Sequence, residues 1–214
     1  YPALGVYPES LQITTSPFWD DLVKWININF FDQLEAIKTF ILINLMMPVK
    51  RFLLKTPWVI VIAAIGLIGY RLGRFRLAAL GVALTVFIAA VGLWSKAMIT
   101  VYLCGVSVLF AACIGVPIGI LAASNSRTNR VAQVAIDTLQ TLPSFVYLIP
   151  VVMLFRVGDF AAMLAVIAYS VAPAIRYTIL GIQQVPAHLI EASRAMGCTP
   201  NQIRWRVQLP IALP

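Results

Sequence analysis

Apolar positions run along this chain in two rhythms. Phe18, Leu22, Ile26, Phe30, Leu34, Ile37, Ile41 and Leu45 recur every three or four places, while Asp20, Lys24, Asn27, Glu35 and Lys38 fall on the other side. That period predicts an amphipathic helix. Ser16 is an N-cap type, Pro17 fits the first helical position, and Asp20 and Asp21 suit the positive helix end. Pro2, Gly5 and Pro8 break the chain ahead of it. The helix carries too many charges to span a bilayer and is expected to lie in the membrane interface.

From residue 57 the second rhythm takes over, in long runs that are apolar on every side. They predict spans at roughly 57–72, 77–94, 98–123, 133–155 and 160–180. The first is short, and snorkelling of Lys55 and Arg71 supplies the missing length. A tight turn with Trp94, Ser95 and Lys96 joins the second to the third. Composition agrees: the 214 residues are 61% hydrophobic and 11% charged, with a mean hydropathy of +0.90. A soluble domain is about 45–50% apolar and about 25% charged. The fold class is therefore all-α integral membrane protein. Residues 1–55 form an expected extracytoplasmic tail and interfacial helix, and 56–214 the transmembrane domain.

Charge refines this picture. The formal net charge is +8, from 16 Lys+Arg against 8 Asp+Glu. No basic run with interleaved aromatics accompanies it, so nucleic acid is not an expected partner. The cations sort instead by loop. Arg71, Arg74, Arg76, Arg127, Arg130, Arg194, Arg204 and Arg206 share one side, against Lys50, Arg51, Lys55, Lys96 and Arg156 on the other. The positive-inside rule puts the segment after residue 180 in the cytoplasm and the N-terminus outside.

The candidate chemistry is mostly subtractive. Cys104, Cys113 and Cys198 form no CxxC pair, and the single histidine, His188, cannot build a His-based metal site. No Gly-Lys dipeptide exists, so there is no P-loop and no nucleotide chemistry is expected in this chain. Neither an enzyme's nucleophile elbow nor an intramembrane histidine is present. No Asp or Glu lies in the first three spans, which disfavours an ion-coupled secondary transporter.

Residues 181–206 carry the densest local signals. Pro186 reads as the first residue of a short helix through Met196, and Gly197 fits the left-handed position after it. Thr199, Pro200 and Gln202 then write a capping box for a second helix. Leu189, Ala192 and Met196 share one face of the first helix, free to dock, and His188 is expected on the surface there. Glu191-Ala192-Ser193, three residues, Gly197, nine residues, Val207, one residue, Leu209-Pro210 resembles the E-A-A loop of ABC importer permeases. The departures are Ser193 for the third alanine and Val207 for isoleucine.

A narrower resemblance lies upstream. The stretch from Asp137 through Gln140, Thr141, Pro143, Phe145, Tyr147 and Pro150, with Ile175–Ile182 and Gln184–Ser193, is similar to permeases of glycine betaine/proline betaine/choline importers. It covers roughly residues 95–214 and fades before residue 55. The resemblance implies a type I ABC importer permease fold in a bacterial cytoplasmic membrane, continuing past Pro214, with 207–214 opening the next span. It implies coupling through Glu191, Ala192, Ser193, Gly197, Leu209 and Pro210. Implied partners are ABC ATPase subunits that bind ATP and magnesium, a second permease copy, an extracytoplasmic substrate-binding protein and membrane lipid. The substrate would be glycine betaine or a related quaternary ammonium osmoprotectant. The alternative is an ABC permease for another small solute, such as an amino acid or a sulfonate.

Individual residues carry paired readings. Gln140, Thr141, Pro143, Phe145 and Tyr147 either line a translocation path, with aromatic faces for a quaternary ammonium ion, or bond neighbouring helices. Asp137 is expected to pair with Arg176, and Pro173 to bend the helix that carries Arg176. Gly115-Val-Pro117-Ile-Gly119 reads as close helix packing with a kink, ahead of a gating hinge.

Overall fold

The computed structural model describes residues 16–212, without the side chains of Ser16 and Trp19. These residues are overwhelmingly helical and contain no strand. The expected breakers Pro2, Gly5 and Pro8 lie outside the described residues. Helix α1 (Ser16–Ile41) includes Ser16, one place earlier than expected, and Asp20 and Asp21 lie beyond its first turn. It passes through a π-helical turn, Leu42–Met46, into α2 (Met47–Lys55). Ile41, Met46 and Met47 keep right-handed helical angles, so one nearly continuous rod runs from Ser16 to Lys55. Thr56 turns extended before Pro57, as the residue preceding a proline prefers.

Helix α3 (Trp58–Ala90) contains a fold-back. Gly73 (φ −142°, ψ 22°) and Arg74 (φ 56°, ψ −155°) leave helical geometry. A Cβ on Gly69 would lie 2.9 Å from the Cα of Ala78. On a straight helix residues nine apart would stand about 13 Å apart. Gly66 likewise faces Val82, and Gly81 faces Ile65. The limbs 58–72 and 75–90 are thus an antiparallel pair zipped by small residues, at the positions of the first two apolar runs. Each limb is about 22–24 Å long at helical rise, short of a bilayer core of about 30 Å.

A turn at Val91–Leu93, with Gly92 at φ +78°, leads into α4 (Trp94–Ala122). Trp94, Ser95 and Lys96, expected in the turn, instead open α4, because Gly92 already supplies the left-handed residue that ends the preceding helix. Helix α5 (Ser126–Thr141) starts on the Asn125 cap, whose side chain accepts from the Arg127 N–H at 3.0 Å. Helices α6 (Ser144–Phe155) and α7 (Asp159–Gln183) follow. The short α8 (Ala187–Ala195), α9 (Pro200–Ile203), a π segment Arg204–Gln208 and α10 (Leu209–Ala212) close the described chain.

The expected span 133–155 is two helices, α5 and α6, bent by 87°. Leu142 is extended ahead of Pro143, which caps α6, whereas Pro150 sits inside a continuous α6. Pro173 is likewise carried within α7 without a break. Helices α4 and α7 are each long and apolar enough to cross a membrane, the bent pair passes only if taken as one span, and α3 passes by total length alone, its fold-back leaving two shorter limbs. Most large apolar side chains of α3 and α4 face outward, as they do when lipid is the solvent.

The spine of the molecule is α4 against α7, running parallel. A Cβ on Gly115 would stand 2.6 Å from the Ala174 Cβ, and one on Gly119 2.5 Å from the Thr178 Cβ. Buried Ser107 adds a hydroxyl that donates to the Leu103 carbonyl (2.7 Å) and reaches the Met163 carbonyl (3.4 Å). The G-x-x-x-G stretch is thus a packing surface, as expected. Two cores flank this spine. Met46, Tyr102, Val106, Phe160 and Met163 form one, and Ala122, Ile136, Ala172, Ile175 and Ile179 the other. The first fixes the π turn and α2 onto the spine, the second fixes α5.

A polar knot closes the first core. Asp159 at the start of α7 accepts from Lys50 Nζ (2.6 Å) and from the Tyr102 hydroxyl (2.7 Å). The Lys50 ammonium also sits 5.6 Å from the centroid of the Tyr102 ring. This knot and Arg156 mark one end of the bundle. The C-terminal ends of α4 and α7, the start of α5 and all of α8 mark the other, with Arg127, Arg130, Arg194, Arg204 and Arg206. The sequence's sorting of these cations into two groups is reproduced.

Two outcomes follow for the full-length protein in detergent. Gly119→Ala should cost about 1–3 kcal/mol through overpacking, while Gly105→Ala, whose added Cβ meets nothing within 4 Å, should be neutral. Thermal melts of the two variants side by side check this. Asp159→Asn removes the ion pair and should lower stability by about 1–3 kcal/mol, with trypsin cutting near Lys50 and Arg51 sooner than in the parent.

Candidate functional site: the helix-turn-helix end

The α8 end is built from local sequence rules that the structure follows closely. Pro186 is the N-cap, in extended geometry, and Ala187 is the first helical residue, one place later than expected. Proline's fixed φ also suits a residue leading into a helix, and the chain uses it there. Gly197 sits at φ +78°. Its N–H donates to the Arg194 carbonyl (2.9 Å), and the Cys198 N–H closes back to the Ser193 carbonyl (3.1 Å). That double closure satisfies the last carbonyls of α8 and sets a fixed turn. Thr199 and Gln202 form the predicted reciprocal box: the Gln202 N–H donates to Thr199 Oγ1 (3.4 Å), and the Thr199 N–H to Gln202 Oε1 (2.8 Å).

The helix so fixed has two faces. Ser193 is buried and donates to the Leu189 carbonyl at 2.6 Å, with Leu189 and Ile190 half-buried beside it. Ala187, His188, Glu191, Ala192, Ala195 and Met196 are exposed, Met196 by 75%. Of the docking face read from the sequence, Ala192 and Met196 are free and Leu189 is partly covered. Of Glu191-Ala192-Ser193, the first two point away from the bundle and the third into it. Leu209 and Pro210 lie beyond the π segment, in α10, whose Ala212 carbonyl approaches Gly181 of α7. They belong to the return of the chain toward the bundle and do not join the exposed face. The chain passes from α7 to α8 through buried Val185, whose N–H bonds the Ile182 carbonyl (3.4 Å).

The residues read as path-lining gather at the α5–α6 break. Gln140, Thr141, Pro143 and Phe145 are exposed, Phe145 by 73%, whereas the Tyr147 hydroxyl donates to the Leu139 carbonyl and is thereby tied to α5. Phe145 and Ser144 border an apolar groove of about 310 Å³ against Ala162, Ala165 and Tyr169 of α7. Asp137 and Arg176 form the expected ion pair between α5 and α7.

The sequence reading did not join Lys50, Tyr102 and Asp159. Its available signals were an Asp at the start of the last span and a tyrosine alone in an apolar run, but nothing local links them to a lysine 109 positions from that Asp. No group of three or more potential metal ligands exists among the described residues.

Known proteins resemble the chain in the region this end occupies. Residues 115–214 match the family described as binding-protein-dependent transport system inner membrane component. A trimethylamine N-oxide transport system permease protein of Pelagibacter ubique (strain HTCC1062) is 36% identical over 207 residues, 97% of this chain and 29% of the relative. A glycine betaine/proline betaine transport system permease protein of Escherichia coli (strain K12) is 40% identical over 165 residues, 77% of this chain and 47% of the relative. A glycine betaine transport system permease protein of Bacillus subtilis (strain 168) is 41% identical over 121 residues, 56% of this chain and 43% of the relative. The chain spans under half the length of each of these relatives. The similarity also reaches further upstream than residue 95, since the first of them aligns with nearly the whole chain. Residues 115–214, holding the foot of α4, the bent pair, α7 and the α8 turn, thus match the binding-protein-dependent transport system inner membrane component family, and the likeness of the chain to betaine-type ABC permeases is borne out.

Proposed function

We propose that this chain is part of the membrane permease of an ABC importer that carries a small methylated ammonium zwitterion, glycine betaine foremost, across the cytoplasmic membrane. The carrying observation is α8. It is a short helix led in by Pro186 and closed at its C-terminus by the Gly197 turn, with Glu191 and Ala192 exposed at the end of the bundle rich in arginine. A lever of this kind suits a partner that moves as it turns over nucleotide. ATPase subunits would bind ATP and magnesium and dock on the face bearing Glu191 and Ala192, with Gly197 setting the lever angle and buried Ser193 holding it to the bundle. Leu209 and Pro210 would transmit the motion into the returning helix.

The substrate reading rests on the relatives. Their names give trimethylamine N-oxide, glycine betaine and proline betaine as what they transport. These molecules share a methylated nitrogen cation beside an oxyanion. Such a cation is held by aromatic faces, and Phe145 at the α5–α6 break offers one. Gln140, Thr141, Pro143, Phe145 and Tyr147 would border the path in an assembly of two permease copies, loaded from an extracytoplasmic binding protein. In this arrangement α8 faces the cytoplasm, and the Lys50–Asp159 end with the N-terminal helix faces outward, α1 lying in the interface.

Reconstitution tests both parts. The full-length permease with its ATPase and binding protein in liposomes should take up radiolabelled glycine betaine only with ATP and loaded binding protein. Uptake by the permease alone on an ion gradient would sink the reading. Glu191→Lys and Gly197→Trp should lower uptake roughly tenfold or more, about 1.4 kcal/mol of coupling, while ATP hydrolysis and membrane insertion persist. Normal uptake in both variants would remove the coupling role. Phe145→Ala should weaken uptake several-fold, about 1 kcal/mol for a cation–π contact, without changing ATPase stimulation by the empty complex.

A further inference from the structure

Behind α8, the feet of α4 and α7, the inner face of α8 and the π segment enclose a cavity of about 430 Å³. Its wall includes Ser124, Ile182, Ile190, Arg194, Arg204 and Gln208. Arg194 and Arg204 come from different elements and face the same space. Ion pairs among the described residues are Lys24–Asp21, Lys38–Glu35, Lys50–Asp159 and Arg176–Asp137, so neither arginine has an acidic partner there. No carboxylate lines the cavity. Glu191, three residues before Arg194 on α8, is exposed and makes no ion pair with it.

Exposed Arg194 and half-buried Arg204 border one concave space with no carboxylate in its wall, which leaves it positive. The planar guanidinium fork matches phosphate oxygens bidentately. Gln208 adds polar capacity, the Ser124 hydroxyl being committed to the Ile120 carbonyl (2.9 Å), while Ile182 and Ile190 give an apolar flank. Trp205, 59% exposed, and exposed Arg206 follow directly on Arg204, the aromatic-and-cation pairing of a membrane–water interface. Such a pairing beside the cavity suits lipid headgroups.

We propose that this cavity is a phosphate-binding site, taking the phosphate of an anionic phospholipid headgroup or free inorganic phosphate between Arg194 and Arg204. Its position gives the site a consequence. An occupant bridges α8 to the π segment and rests on the ends of α4 and α7, bracing the angle at which α8 leaves α7. The proposal stands on this geometry and is independent of which solute the permease carries.

The test uses full-length permease in nanodiscs of phosphatidylcholine, titrated with phosphatidylglycerol and, separately, with inorganic phosphate. Native mass spectrometry reads the lipid arm and isothermal calorimetry the phosphate arm. Saturable retention of phosphatidylglycerol that falls about thirty-fold in Arg194→Gln/Arg204→Gln, at about 1 kcal/mol per arginine, identifies a headgroup site. Saturable phosphate binding lost in the same variant identifies a free-phosphate site. Equal retention and equal phosphate binding in parent and variant overturn the proposal. Should the double variant fail to fold, the charge-retaining Arg194→Lys and Arg204→Lys serve in its place: each should bind more weakly than the parent, because an ammonium lacks the bidentate fork. The absence of saturable binding in the parent in both arms overturns the proposal without any variant.

Discussion

The approach of α4 to α7 at Gly115 and Gly119 is the constraint on which the rest of the molecule depends. In lipid no hydrophobic force draws helices together, because acyl chains are as apolar as leucine. Close packing and polar contacts must do it, and only small residues allow backbones so near. Here Val171 and Ile175 of α7 come within contact of the space a glycine Cβ would fill. With that spacing set, Ser107 can reach the Met163 carbonyl, and both flanking cores can close. The α3 hairpin shows the same rule in isolation. Gly66, Gly69 and Gly81 zip its limbs to each other, while it makes little contact with α4.

Because α7 runs unbroken from Asp159 to Gln183, its two ends move together. One end is tied to α2 and α4 through Asp159, Lys50 and Tyr102. The other continues into α8 through Val185 and Pro186. The bent α5–α6 pair crosses between them and touches α7 twice, through Ile136 and the Asp137–Arg176 pair near one end and through the Phe155–Phe160 ring contact (5.1 Å between centroids) near the other. A displacement of α8 thus has a rigid route to the far end. The hinge available to it is the Leu142–Pro143 corner, where extended residues interrupt the helix. Gating by that corner would be a change in one angle and not a repacking of the spine.

Features governed by near neighbours were legible in the sequence. The Thr199–Gln202 box and the left-handed Gly197 depend on residues within a few positions, and their chemistry is specific. The Gly115–Gly119 contact was legible too, since the small-residue spacing carries its own packing logic. Pairing across the fold was not. Lys50 reads as a flanking cation until α7 brings Asp159 to it, and the sidedness of Ser193 depends on where α8 sits on the bundle. The turn at Trp94 was misplaced because an interfacial tryptophan fits either a loop or a helix start, and Gly92 decides between them. The bend between α5 and α6 was not legible in the expected span 133–155, which holds two prolines of which only Pro143 makes a break. Leu142 ahead of it turned extended, whereas α6 absorbs Pro150 within a continuous helix.

Ser193 is the point where sequence departure and structure meet. An alanine in its place would leave the inner face of α8 apolar. The hydroxyl instead bonds back to the Leu189 carbonyl one turn earlier, a bond a buried serine makes within its own helix. It therefore buries without an unsatisfied polar atom and leaves the outward face, Glu191 and Ala192, unchanged. The two faces of this helix answer to different neighbours, one to whatever docks from the solvent side and one to the bundle foot. A substitution confined to the inner face is tolerated as long as it stays small and internally bonded, which is the physical reason serine can stand where the family pattern has alanine.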